Sequence, residues 1–361
     1  KTLGSCRFIY NKMLEEKQTK YKSKDTSKLK TEKEYKTIFP FLQEVDSISL
    51  QQTRIDLESS YKHFFRNIKS GEKSSLRFKS KHNPKHSYRT ININNSIRVD
   101  GNKIKLPKLG WVKFKKSRDL KGKIKSVTLS KNILGRYSIS VLCETEIQTL
   151  LKNDNKIGID LGLKEFLITS NEEFISNPKY LRKSELKLQK EQRRLSKRKK
   201  GSKNRFKQRK RVFKLHDKVR NQRLDFLHKL SSRLISENQV ICLEDLKVKN
   251  MLKNHKLAKS ISDVSWSKFV EFLKYKSEWY GRALIQIDSF FPSSKTCNNC
   301  GWKNEELKLS DRFFRCKKCN IEIDRDFNAS LNIMDEGLRI LKNCGNHRDS
   351  LLNIQTLVCS S

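Results

Sequence analysis

No apolar run in this 361-residue chain approaches the roughly 18–20 residues that a membrane span needs. No charged-then-apolar leader opens it, so export is not expected and the cytoplasm is the expected compartment. Internal repeats are absent. Acidic residues are scarce: 39 Asp and Glu stand against 80 Lys and Arg, a net charge of +41. Such a surplus repels itself in a compact state unless a polyanion sits on it. Nucleic acid is the polyanion this implies, and an anionic membrane surface is the weaker alternative. Disorder is not implied, because hydrophobic residues make up 35% and recur throughout, enough for cores in two or three domains. Nine cysteines, an odd number, favour a metal site in a reducing compartment over disulfides. The first residue is Lys rather than Met.

Three stretches with different periodicity follow one another. The first, residues 1–75, reads as helical. Cys6–Leu14 is a short amphipathic piece, a polar Lys-rich stretch runs from Lys17 to Lys36, and Leu50, Leu57, Tyr61, Phe64, Phe65 and Ile68 mark a longer helix capped by Ser47 and stopped by Gly71. Over residues 76–150 the period becomes two. Ile97 and Val99, the turn Asp100-Gly101-Asn102, then Ile104 and Leu106 read as a hairpin; Val127 and Leu129, a turn at Leu134-Gly135, then Tyr137, Ile139 and Val141 read as another. Short strands with basic outward positions predict a small barrel or curved sheet, with either a nucleic-acid role or an ordinary solvated face.

From residue 151 onward the order is strand, hairpin, helix, strand, helix, an α/β pattern. Lys156–Gly162 is a buried strand holding a lone carboxylate, Phe166–Thr169 its hairpin partner, and Gln239–Glu244 a second apolar strand ending in a carboxylate. Another helix is predicted from Trp266 to Ala283. Between the strands, Leu181–Arg223 holds 20 Lys and Arg against 3 acids, with Val212, Leu215, Val219, Phe226, Leu230 and Leu234 forming an apolar stripe on its second half and beyond.

Cys297-x-x-Cys300 and Cys316-x-x-Cys319 form the most specific local signal. Paired thiolates two residues apart reach one ion from a tight knuckle, and four suit tetrahedral Zn2+. With every position a cysteine, no coordination site is left open, so the metal is expected to be structural. Nothing around the pairs resembles a thioredoxin-type redox context. Cys6, Cys143, Cys242, Cys344 and Cys359 read as core or incidental thiols, and His347 near Cys344 as incidental. Asp160 sits in an apolar strand, where a bare charge is costly unless it meets a cation. Glu244 ends a second strand, and Asp324 and Asp326 precede an apolar helical stretch. Each alone suits a strand end or a helix cap. Together they can converge at a sheet edge, where hard oxygens bind Mg2+ or Mn2+ and a pair of ions cleaves phosphodiesters.

At these residues the chain resembles the TnpB (OrfB) proteins of insertion sequences, similar to the ancestor of compact type V CRISPR effectors. The resemblance runs through Cys6–Asn11, Phe64-Phe65-Arg66, Arg77–Lys81, Gly158–Gly162, Leu243–Leu246, Met251, Asn254, Leu257 and Ala258 ahead of Trp266, and most specifically Pro292–Cys297 through Asp324–Ala329. It implies an α+β and α/β multidomain chain: a helical recognition lobe (1–75), a small β-barrel wedge domain (76–150), and a ribonuclease-H-like (RuvC) α/β domain (151–361) carrying a basic helical insertion (180–236) and a zinc ribbon (292–323). It implies Asp160, Glu244 and Asp326 as catalytic Mg2+ or Mn2+ ligands, with Asp324 the alternative to Asp326. It also implies a guide RNA from the transposon end, DNA as target, and a separate recombinase that does the joining. The family begins upstream with a first barrel strand that this sequence does not include, and Ser330 replaces a more usual Ala.

The reading this supports is a transposon-encoded, RNA-guided, metal-dependent DNA endonuclease in the cytoplasm, nucleoid-associated when bound to DNA. The alternative is an impaired or truncated nucleic-acid-binding accessory protein of transposition; a transposase that itself joins DNA ends is a third. Lys79, Lys81, Arg194, Lys197, Arg198, Lys203, Arg205 and Arg209 are the candidate nucleic-acid contacts, and Tyr275, Trp279, Phe290 and Phe291 could stack on bases or fill core.

Overall fold

The computed structural model describes residues 1–83, 85–308 and 310–346, the side chains only to residue 343. It divides into two compact units, Lys1–Glu146 and Ile147–Ser361.

The first unit opens with helix α1 (Thr2–Lys22), followed by α2 (Glu32–Ile38), a 3-10 turn (Pro40–Glu44) and α3 (Ser47–Lys69). Helix α1 runs well beyond the expected Cys6–Leu14, because its Lys- and Glu-rich continuation is made of good helix formers. Glu16 on that continuation accepts a 2.6 Å hydrogen bond from the Tyr35 hydroxyl of α2, which lies inside the stretch read as merely polar. The cap of α3 is Asp46, not Ser47: its carboxylate accepts from the N–H groups of Ile48 and Ser49 at 3.1 and 3.2 Å. It also accepts from the Thr90 hydroxyl at 2.5 Å, so the cap doubles as a link to a strand.

Six strands follow: β1 (Lys85–Ile91), β2 (Arg98–Asp100), β3 (Lys103–Leu106), β4 (Gly110–Lys113), β5 (Lys123–Asn132) and β6 (Tyr137–Glu144). Both expected hairpins form, β2–β3 and β5–β6. The ladders make two three-stranded antiparallel sheets, β1-β5-β6 and β2-β3-β4. Helices and strands share one core, in which Ile9, Leu14, Leu50, Ile97, Ile104, Leu106 and Val127 are buried. Cys6 is in it, its thiol against Ser49, while Cys143 is half-buried.

The second unit is built on strands β7 (Lys156–Leu161), β8 (Glu165–Thr169), β9 (Phe174–Ser176), β10 (Val240–Glu244) and β11 (Ala283–Ile287), in the order β11-β10-β7-β8-β9. The first three in that order run parallel; β8 and β9 are antiparallel. Between β9 and β10 stand α4 (Tyr180–Ser196) and α5 (Lys203–Glu237), a long helical hairpin; α6 (Val248–Met251), α7 (Ala258–Val264) and α8 (Trp266–Tyr280) precede β11. Helix α8 stops at Tyr280, short of the expected Ala283, because Gly281 takes the left-handed conformation with φ +67° and the chain turns into β11.

Parallel strands covered on both faces need nearly continuous apolar sequence, and alternate residues divide between the faces. Ile157, Ile159, Ile241 and Leu243 enter a core with Leu227, Leu234, Phe269 and Leu273 of α5 and α8. Cys242, on the other face, joins Ile285, Ile287 and Ile333. Ile333 belongs to the closing helix α9 (Arg325–Asn346), which is reached through β12 (Phe313–Arg315) and β13 (Glu322–Asp324). No described helix is long and apolar enough to cross a membrane. His347 and Cys359, and the side chain of Cys344, lie outside the described residues.

Candidate active site and metal centre

Register places two of the acids side by side. Leu243 of β10 pairs with Ile159 of β7, so Glu244 and Asp160 follow at the next step and leave the sheet on the same face. Two residues back on that face are Gly158 and Cys242, also paired. A Cβ on Gly158 would meet the Ser330 carbonyl oxygen of α9 at 2.1 Å, and one on Gly337 of α9 would meet Cys242 Sγ at 2.3 Å. Two glycines, one on the sheet and one on the helix, therefore let α9 lie directly on the strands. That contact brings its first turn, with Asp326, to the strand ends.

Asp160, Glu244 and Asp326 line one cavity of about 890 Å³. Lys164, Lys179, Arg182, Lys259, Arg312 and Arg325 line it too. Asp324 does not share the carboxylate position: its Oδ1 accepts from the N–H groups of Asp326 and Phe327 at 2.9 and 3.0 Å, which is a helix cap. Burial pushes the Asp160 carboxyl up to about 8, reinforced by the negative charges of Glu244 and Asp326 and opposed by Arg325. Burial also raises Glu244, against the opposing effect of the Ser293 hydroxyl, which donates to its Oε1 at 2.6 Å.

The three carboxylates do not close into a tight ligand cluster. Among the described residues, only the four cysteines bring three or more potential ligand atoms within 4.8 Å of one another. Two of the acids are each held by a neighbouring donor. Arg325 donates to Asp326 Oδ1 from Nε and Nη2 at 3.0 and 2.9 Å, while Ser293 holds Glu244. Ser293 and Arg325 escape a sequence reading, although an arginine between two acids in Asp324-Arg325-Asp326 is a visible signal for the second.

The cysteine quartet forms two matching knuckles. In the first, Cys297 N–H donates to the Trp302 carbonyl and Gly301 N–H to the Cys297 carbonyl; in the second, Cys316 N–H donates to Ile321 and Asn320 N–H to Cys316. The residue that follows the second cysteine of each, Gly301 or Asn320, is left-handed, with φ +75° and +56°. Cys297 and Cys319 sulfurs lie 3.7 Å apart, those of Cys300 and Cys316 3.4 Å. A tetrahedron with Zn–S bonds of ~2.3 Å has edges of ~3.8 Å, so the donor set fits zinc.

The basic candidates have different surroundings. Arg194, Lys197, Arg198 and Lys203 are exposed around the α4–α5 turn, with Arg194 paired to Glu191 at 2.9 Å, and Arg209 is half-buried. Arg205 is engaged inside the turn, where Nη1 donates to the Leu195 and Arg198 carbonyls, each at 2.8 Å. In the first unit Lys81 is exposed, and the Lys79 ammonium lies 3.7 Å from the centre of the Tyr10 ring. Of the aromatics, Phe290 is 89% exposed, Trp279 is half-exposed with its ring 4.7 Å from Tyr275, and Phe291 packs on the Ile285 core.

Residues 138–255 match the OrfB_IS605 family, described as probable transposase; residues 266–333 match a Cas12f1-like TNB domain, and residues 1–26 a helix-turn-helix domain. A Streptomyces pristinaespiralis protein named "Putative RNA-guided DNA endonuclease" is 36% identical over 94% of this chain and 85% of its own length. An Escherichia coli K12 protein with the same name, InsQ, is 30% identical over 95% and 89%. The cryo-EM structure of a Cas12f1–sgRNA–target DNA complex has a similar fold at 16% identity, with a TM-score of 0.54, covering 92% of this chain and 81% of that one. By its matches along nearly the whole length of such relatives, the chain belongs to the TnpB (OrfB) family of insertion-sequence proteins.

Proposed function

We propose that this protein is a transposon-encoded, RNA-guided DNA endonuclease in which Asp160, Glu244 and Asp326 hold Mg2+ or Mn2+ and the four cysteines hold a structural zinc. The observation that carries the reading is the meeting of three acids, remote in sequence, in one cation-lined cavity. Carboxylate oxygens are the hard donors these ions prefer. Bound there, such ions supply an activated water and stabilise the leaving oxygen of a phosphodiester. The chain's own part is to hold the phosphate and orient the acids. Lys164, Arg182 and Arg312 offer charge to the backbone of a strand in the cavity. Arg325 fixes Asp326, Ser293 fixes Glu244, and Asp324 takes the capping role that leaves Asp326 for the metal.

In the same reading, residues 1–75 form the recognition lobe, 76–150 close as a wedge-like barrel, and 151–361 are the RuvC-like nuclease with its basic insertion and zinc ribbon. The partners are a guide RNA from the transposon end and a DNA target, base pairing reading the sequence as in other RNA-guided effectors. A separate recombinase does the joining, and the protein works in the cytoplasm on the nucleoid. The deciding experiment combines purified protein, guide RNA, target DNA and Mg2+. Breaks that need Mg2+ and vanish in Asp160→Ala support the enzyme. Tight binding of guide and target without breaks would leave the accessory-protein reading in its place.

A further inference from the structure

We propose that Asn328 and Asn332 of α9 are positioning residues through which the first zinc knuckle sets the carboxylates of the nuclease site. The inference rests on the nuclease reading above and goes beyond it by coupling two centres that the ligand sets alone leave independent.

Both asparagines are buried, at 1% and 6% exposure. The Asn328 side-chain amide donates to the Thr296 carbonyl at 2.7 Å, and its oxygen accepts from Asn298 N–H at 3.1 Å. Asn332 donates to the Thr296 and Ser293 carbonyls, each at 2.7 Å, and accepts from the Asn298 side chain at 3.2 Å. Thr296 and Asn298 flank the zinc ligand Cys297. Ser293, gripped through its carbonyl, is the residue whose hydroxyl holds Glu244. Asp326 stands in the first turn of the helix that carries both asparagines. The second knuckle reaches the same point through the backbone, since β13 runs directly into α9 and Arg325 N–H donates to the Arg312 carbonyl of the zinc hairpin at 2.8 Å.

The residue type is dictated by the partners. Two carbonyl oxygens must be met by N–H donors, and a buried carbonyl left without one is costly. An aspartate of the same shape would set lone pairs against lone pairs. Residues that orient metal ligands in this way commonly change metal affinity by ~10–100-fold when altered.

The test uses full-length Asn332→Asp and wild-type protein, both zinc-loaded, with Mn2+ binding read by electron paramagnetic resonance and zinc counted after thiol modification. The expected result is one zinc per chain in both, with half-saturating Mn2+ raised about 10–100-fold in the variant. Stripping zinc from the wild type should weaken Mn2+ binding in the same direction, which keeps the test valid even if the variant folds poorly. Mn2+ binding unmoved by both treatments would overturn the coupling while leaving the nuclease reading intact. Asp160→Asn separates the two: if the wild type has no Mn2+ signal that this change removes, the nuclease-site reading itself fails, and the coupling falls with it.

Discussion

Replacing Asp160 by Asn should make the magnesium-free protein more stable, and increasingly so as pH rises. In the folded chain the Asp160 carboxyl keeps its proton to about pH 8, against an ordinary value of 3.8. The folded state therefore binds a proton the unfolded state has already lost, and stability falls as pH climbs through that window. Each tenfold of proton affinity is ~1.4 kcal/mol, which sets a ceiling of ~5–6 kcal/mol. The cavity admits water, and screening there reduces the expected effect to ~2–3 kcal/mol. For a unit of this size that is roughly 5–10 °C in melting temperature. The assay is scanning calorimetry of zinc-loaded, magnesium-free protein at about pH 4.5 and about pH 8.5. The two proteins should melt nearly together at the lower pH, with Asn ahead at the higher. Millimolar Mg2+ should then raise the wild type and leave Asp160→Asn unmoved. Equal melting temperatures at both pH values would refute the burial of Asp160 beside two other acids.

Gly158→Ala should destabilise the second unit by at least ~3 kcal/mol and abolish cleavage, because the new methyl meets backbone 2.1 Å away; denaturant titration checks it. Cys316→Ser should leave less than one zinc per chain and lower the melting temperature in the same preparation, which a thiol-release zinc assay and calorimetry read together. Nucleic-acid affinity should fall about 10³–10⁵-fold between 50 and 200 mM salt if some 6–10 phosphates are neutralised, and a flat salt titration would contradict that. Arg205→Ala should lower the melting temperature through the α4–α5 turn it braces, whereas Arg194→Ala should weaken binding with the melting temperature within about a degree; a scan of both by calorimetry and filter binding distinguishes bracing from contact.

Much of the second unit is written in local sequence. Lys-Ile-Gly-Ile-Asp-Leu and Val-Ile-Cys-Leu-Glu are too apolar to be anything but strands covered on both faces, and an acid at the end of such a strand stands out. The knuckles are equally legible, because two residues between cysteines is itself a geometric statement. What stayed hidden depends on contacts between distant segments. Gly337 is an ordinary helix residue until Cys242 is found beneath it. Asn332 reads as a polar position on α9 until the Ser293 and Thr296 carbonyls face it. Arg205 resembles its neighbours in a basic run, yet it alone among the candidates is spent on two carbonyls of its own turn. The extent of α1 and the existence of α2 were masked for another reason: Lys-rich sequence gives a weak apolar period, and the Tyr35–Glu16 bond that pins it joins residues in different elements.

The order of elements along the polypeptide also has a consequence in time. Asp326 follows Asp160 by nearly half the chain, and the glycine contact that seats α9 on the strands lies later still. At ribosomal speeds of ~5–20 residues per second, that gap lasts roughly ten to thirty seconds. Over this interval the nascent protein carries its amino-terminal unit and adds its cationic hairpin, while the carboxylate cluster proposed above still lacks its third acid. In the nuclease reading proposed above, a messenger under translation thus meets the basic segments well before the three acids have all been made.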